Sequence, residues 1–344
     1  MQNDVEVCEP PTDSISALEF TPSRSSCSSR LAAASWDCSV RVWDVQTNTG
    51  ATIPRCLHMM DSIVLDAAWN MEGSQLYMGD VTGKVSALDV ATNTLAKIGN
   101  HEAGVRCCSM MVSPVLMTAS WDKTAKFWDP RCDKSIFELN LPGRAYAADT
   151  MNTLAVVACS DQKVLTFSIE GSYKDTRQWD CPTIGGTNSQ VRALAITKGS
   201  TAQQPIGWFL AKSDGRVIMQ PVQPYVHDTW SFECHRKEIS KGTHYDVYAV
   251  NDIKMNHERK TLATVGSDGS YEFWDCINRS RLMRNSAQAP ESITKCSLSA
   301  NGQVFAYAVG YDWAQGYEYH DPAKKPKIYM RSVVKDMKSK STKV

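Results

Sequence analysis

Three stretches of this chain repeat one pattern: an apolar run, a polar turn carrying an Asp, and a second apolar run ending in Trp-Asp. They are Leu31 to Asp44, Leu116 to Asp129 and Leu262 to Asp275. In each, the turn Asp precedes the terminal Asp by seven residues, at 37 and 44, 122 and 129, 268 and 275. Two short apolar runs around a polar turn read as a β-hairpin, and copies at one internal spacing demand a repeat architecture. Weaker copies fill the gaps. Leu76 to Asp89 turns at Thr82-Gly83-Lys84 and carries Leu88-Asp89 in the Trp-Asp slot. Ala155 to Ile169 turns at Asp161, and Trp208 to Val222 turns at Asp214-Gly215. The turns at 37, 82, 122, 161, 214 and 268 are spaced by 45, 40, 39, 53 and 54 residues, and a seventh starts near Asp312.

A period of about 40–45 residues, with short strands and Trp-Asp endings, is the signature of a WD-repeat β-propeller. The expected fold is therefore all-β: one seven-bladed propeller over residues 1–332. A blade cannot bury both of its faces alone, so stability comes from packing between neighbours. Val5 to Cys8 is placed to supply the outer strand beside Lys327 to Ser332, closing the ring with an N-terminal strand in the last blade. The two long spacings imply loop insertions near 171–189 and 223–247, and the basic tail 333–344 is expected to fray. His101, Thr118, Asp122 and Trp128 fall where such repeats place a hydrogen-bonded tetrad, and Thr264, Asp268 and Trp274 form a partial copy. That network reads as structural, because a catalytic triad is recognised by geometry and not by residue types.

Bulk properties exclude several functions. Thirty-seven bases balance thirty-seven acids, so no global field advertises nucleic acid. The ends differ: residues 1–22 hold five acids and no Lys or Arg, whereas 323–344 hold eight bases and one acid. No signal peptide or membrane-length apolar run is present, so an intracellular, soluble protein is expected. Twelve Cys without a C-x-x-C pair fit reduced, buried side chains and not a metal or disulfide framework. Dinucleotide, P-loop, zincin and nucleophile-elbow motifs are all missing. No enzyme, cofactor or small-molecule substrate is expected; the expected activity is binding.

Three features on the face built by the d–a and b–c loops are candidates. Trp36 and Trp121 precede the turn Asp, where a small residue would serve equally well; each either anchors a partner or packs on its neighbouring loop. The loop from Cys234 to His244 carries Arg236, Lys237 and Lys241, which suit an acidic peptide or a phosphate backbone if the loop is more than a solvated connection. Between Tyr311 and Lys325 lie Tyr311, Trp313, Tyr317 and Tyr319, then Lys324 and Lys325. That composition makes a stacking and charge platform for single-stranded nucleic acid or a peptide, or folds back on its blade.

Residues beyond the repeat carry a closer resemblance. The head Asp4-Val5-Glu6-Val7 with Pro10-Pro11 and Asp13 to Ser16, together with Ser35-Trp36-Asp37 and Phe127 to Arg131, resembles the nuclear-pore mRNA export factor family and its mitotic-checkpoint paralogues. Leu141 to Tyr146, Phe232 to Arg236, Asp246 to Asn251, Ala263 to Gly269, and Phe305 to Ala308 with Tyr311-Asp312-Trp313 resemble the export factor. The resemblance implies a nuclear, pore-associated protein that shuttles to the cytoplasm, binds a nucleoporin GLEBS segment on the propeller face, contacts single-stranded RNA and serves the mitotic spindle. It further implies that Arg236, Met255 and Trp313 form a basic and apolar pocket, with Met255 replacing a bulkier aromatic. The alternative is a kinetochore checkpoint scaffold; a ubiquitin-ligase receptor or chromatin reader ranks below both.

Overall fold

Alternation along each strand decides the architecture, because successive side chains of a strand point to opposite faces. In blade three, Cys107 and Cys108 are adjacent, yet Cys107 packs toward blade four and Cys108 toward blade two. The computed structural model describes residues 4–22, 29–46, 49–111, 114–132, 134–170, 173–183, 188–199, 204–223, 228–240, 244–285 and 289–338. Seven four-stranded antiparallel sheets stand around one axis. Their innermost strands are Ile15–Phe20, Val64–Trp69, Val105–Met110, Ala145–Met151, Val191–Lys198, Val250–Asn256 and Ile293–Leu298. Each touches the next around a closed circle. The buried apolar residues fall into seven clusters, one at each blade–blade interface. That is how a repeat with two apolar faces buries both.

The ring closes as expected. Val5 pairs with Met330 and Glu6 with Tyr329, so the head is the outer strand of blade seven. Asp4 accepts a hydrogen bond from the Tyr307 hydroxyl at 2.6 Å, and Val7 is buried. In blade two Leu88 lies opposite Leu76, the register in which Trp128 lies opposite Leu116 in blade three.

The tetrad in blade three has the expected geometry. His101 Nε2 lies 2.8 Å from Thr118 Oγ1, its Nδ1 lies 3.0 Å from Asp122, and Trp128 Nε1 donates to Thr118 Oγ1 at 2.8 Å. Burial lowers the His101 pKa against the pull of Asp122. A neutral ring whose Nδ1–H donates to Asp122 and whose Nε2 accepts from Thr118 satisfies every partner. The copy in blade six is complete, not partial: fully buried His235 meets Asp268 at 2.8 Å and Thr264 at 3.0 Å.

Two expectations are corrected, and the insertion expected in 223–247 takes a definite form. Residues 173–180 form the outer strand of blade four and not part of an insertion. The 223–247 region holds the outer strand Trp230–Glu233 and a two-stranded hairpin, Arg236–Ser240 with His244–Val247, that stands outside the blades. Residues 333–338 are not frayed: Val333 and Met337 are fully buried between blades six and seven, in a helical turn closed by Met337 N donating to Val333 O. Their four-residue spacing puts both on one side of that turn. The rest of the tail, 339–344, lies outside the described residues.

Candidate functional site

Every innermost strand begins with a β-bulge. The register slips between Ile15 and Ala17, Val64 and Asp66, Val105 and Cys107, Ala145 and Ala147, Val191 and Ala193, Val250 and Asp252, and Ile293 and Lys295. Each slip leaves one residue without a cross-strand partner, and bulges re-aim side chains in this way. The seven residues so released are Ser16, Leu65, Arg106, Tyr146, Arg192, Asn251 and Thr294. All seven line one concavity of about 510 Å³, the mouth of the central channel.

The mouth is basic. Arg106, Arg144, Arg192 and Lys295 line it, and Asp312 is the one acid among the described lining residues. Asp312 is already engaged, accepting from Asn251 Nδ2 at 3.2 Å and from the Ser267 hydroxyl. Burial lowers the Arg192 pKa from its ordinary value, Asp312 opposes that, and Arg106 adds to it. Among the described residues, no salt bridge holds any of the four cations. Converging cations that outnumber the acids among the described lining residues form a sink for an anion.

Deeper in the channel four carboxylates, Glu19, Asp66, Asp149 and Asp252, join the cations and are consumed by structure. Asp66 accepts from Cys108 N at 2.9 Å, Asp149 from Ile196 N at 2.8 Å, and Asp252 from Cys296 N at 3.1 Å. Each of these carboxylates thus stitches its blade to the innermost strand of the next. Burial raises the pKa of Asp66 and Asp149. Glu19 of blade one reaches Lys254 of blade six at 2.5 Å; burial raises its carboxyl to about 7 against the opposing pull of Lys254. Arg106, Arg192 and Lys295 line both levels, at the border between the basic mouth and the mixed-charge channel.

One side of the mouth is aromatic. Trp313 has a left-handed backbone, φ 60°, which is rare for a bulky side chain and marks a conformation enforced by its surroundings. Its Nε1 donates to Ser14 Oγ at 3.1 Å, and His320 stacks on it at 4.7 Å, 18° from parallel. Tyr311 meets it edge-on at 5.4 Å. Trp36 of blade one faces it at 6.4 Å, 19° from parallel. Trp36 and Trp313 remain 44% and 39% exposed.

The candidates read from the sequence divide into three groups. Trp36, Trp121, Tyr311 and Trp313 meet at the mouth. Trp121 also packs on Gly104, where an added Cβ would come within 2.7 Å of the ring. Arg236 and Lys237 line a separate rim cleft with Arg281 and Arg284, and Arg236 pairs with Glu233 at 2.7 Å. Met255 lines the channel below the mouth. Arg236, Met255 and Trp313 therefore line three different concavities and do not form one pocket. Lys324 is paired with Glu291 at 2.6 Å, and Lys325 is exposed on the same segment, outside the mouth. Lys241 lies outside the described residues, and its loop neighbour His235 belongs to the blade-six tetrad. Sequence reading missed Arg106, Arg144, Tyr146, Arg192 and Lys295. The bulge residues had a signal, since each follows the first buried residue of an innermost strand, as in Val105-Arg106 and Val191-Arg192.

A closed seven-bladed ring with two His-Thr-Asp-Trp tetrads among the described residues defines a WD-repeat propeller. The family of the WD domain, G-beta repeat, matches residues 3–44 and 92–129. Protein Rae1 of Drosophila melanogaster is 41% identical over 340 residues, covering 98% of this chain and 96% of that protein. The mRNA export factor of Danio rerio is 36% identical, covering 99% and 92%, and the Poly(A)+ RNA export protein of Schizosaccharomyces pombe is 33% identical, covering 98% and 92%. The chain belongs to the mRNA export factor family. A chain in the crystal structure of the mitotic checkpoint complex superimposes with a TM-score of 0.70 at 15% identity, covering 96% of this chain and 91% of that one. U3-55K superimposes with a TM-score of 0.73 at 15% identity, covering 96% and 98%. At that identity both show the fold alone.

Proposed function

We propose that this protein acts in mRNA export as a non-enzymatic adaptor at the nuclear pore, moving between nucleus and cytoplasm. Its mouth holds an acidic GLEBS segment of a nucleoporin, and the same face contacts single-stranded RNA. The observation that carries the reading is the mouth itself: four cations without salt bridges among the described residues, bordered by Trp36, Trp121, Tyr311 and Trp313. Aromatic anchors beside cations not held in salt bridges are what an acidic peptide needs for both affinity and orientation. The family membership supplies the export role.

Calorimetry with a synthetic GLEBS peptide tests this directly. A one-to-one complex is expected, weakened at least tenfold by Arg192→Glu at an unchanged melting temperature. No heat at tens of micromolar peptide, or full affinity in the variant, would sink the reading.

A further inference from the structure

We propose that the outer strand of blade one, Thr52–Met59, is a docking edge for an extended peptide that carries a carboxylate between apolar side chains. It is the last strand of its sheet, and the backbone groups along a free edge are a template for one more strand. Folds ordinarily blunt such edges with charge or with brevity. The eight-residue outer strand of blade four, Tyr173–Asp180, carries Asp175 and Arg177, paired at 2.9 Å, and Asp180, paired with Lys163 at 2.5 Å. The outer strands of blades five, six and seven have only four, five and two residues. Thr52–Met59 has eight, and its Ile53, Leu57 and Met59 are 51%, 49% and 60% exposed. Among the described residues, no other outer strand shows more than one exposed large apolar side chain.

What lies beside the edge defines the peptide. The register slips between Val42 and Trp43, and Arg55 is left without a cross-strand partner, the re-aiming that a bulge produces. Next to it lies a concavity of about 190 Å³, floored by Val42 and Trp43 and walled by Pro54 and Leu57. Its charges are Arg41, Arg55 and Glu9. Arg41 donates to the neutral Glu9 carbonyl at 2.9 Å, and among the described residues neither arginine is held in a salt bridge. Two guanidiniums against one carboxylate take up an incoming carboxylate, which an arginine fork binds bidentately. Leu57 stands opposite Arg41 and Met59 opposite Ser39, on one face of the sheet. Alternate side chains of an added strand also share a face, so apolar residues two places from the carboxylate meet Leu57 and Met59. Main-chain pairing supplies the affinity and these contacts the selectivity. A second copy of this chain would bring the same arginines to the junction, adding positive charge where the groove takes negative. The edge shares no lining residue with the mouth, so the two sites act independently.

The test selects a phage-displayed library of random heptapeptides on the full chain. Expected is enrichment of sequences with Asp or Glu flanked two places away by apolar residues. Synthesised, these peptides bind one to one and lose at least tenfold in affinity to Arg55→Glu and to Leu57→Lys, both at an unchanged melting temperature. They lose as much when alternate backbone nitrogens are methylated in one of the two possible registers, the mark of strand pairing. Arg192→Glu, in the mouth, leaves their affinity unaltered. No enrichment, full affinity in either edge variant, tolerance of methylation in both registers, or a loss in Arg192→Glu overturns the proposal. Sedimentation of the chain alone addresses the other occupant: a monomer is expected, and a dimer that Leu57→Lys dissociates assigns the edge to a second copy and overturns the acidic strand.

Discussion

Asp268 holds three partners at once: His235 at 2.8 Å, the Ser270 hydroxyl at 2.6 Å and Arg284 at 2.9 Å. Burial pushes its carboxyl up, but the hydrogen bonds from His235 and Ser270 and the charge interaction with His235 outweigh burial and hold it at about 2, against an ordinary 3.8. A depressed carboxyl contributes stability that is fully present above its unfolded pKa and lost as pH falls through the folded one. The window is therefore between about pH 4 and pH 2, and the shift corresponds to about 2–3 kcal/mol. Urea unfolding at pH 7 and pH 3 checks this. Asp268→Asn is expected to be less stable at pH 7 and to lose less than the parent on acidification; equal losses would refute the assignment. The same scale separates two residues that look equivalent in sequence. Trp36 and Trp121 both precede a turn Asp, but Trp121 lies over Gly104 whereas Trp36 faces Trp313.

At the scale of elements, the hairpin Arg236–Val247 explains why the second tetrad was only half legible. His101 precedes Thr118 by 17 residues, and His235 precedes Thr264 by 29. The additional twelve residues are the hairpin, inserted between the His and its blade. Periodicity places strands but does not say which of two loops carries an insertion. The hairpin lies outside the blades, so replacing residues 238–245 by Gly-Gly is expected to leave the melting temperature unchanged. Thr264→Val removes the hydroxyl between His235 and Trp274 and is expected to destabilise by about 1–3 kcal/mol. Thermal scans of the two variants distinguish hairpin from tetrad. The C-terminal turn is hidden in the sequence for a different reason: Lys335, Asp336 and Lys338 surround Val333 and Met337 with charge. Truncation after Ser332 uncovers the space these two fill between blades six and seven, and is expected to lose roughly 3–6 kcal/mol at most. A truncated chain as stable as the parent in denaturant would show that the turn contributes nothing.

At the scale of the whole molecule, a ring has no free end only while its first and last strands stay paired. Removing residues 1–9 strips the outer strand of blade seven, the buried Val7 and the Cys8 carbonyl that accepts from Trp43 Nε1 at 2.8 Å. The expected result is a large fall in melting temperature with accelerated proteolysis, read by calorimetry and limited trypsin digestion; an unaltered profile would mean the ring is held by its blade interfaces alone. The sequence by itself determined the blade count, the hairpins and the closing strand. Those follow from local alternation and from a period written along the chain, which each repeat states for itself. The tertiary structure alone decided the mouth. Its four cations lie tens of residues apart, as do Trp36, Trp121 and Trp313, and each reads in isolation as an ordinary polar or aromatic residue. Seven bulges and one closed ring turn them toward a common axis, where their charges add, and no local pattern in the chain records that sum.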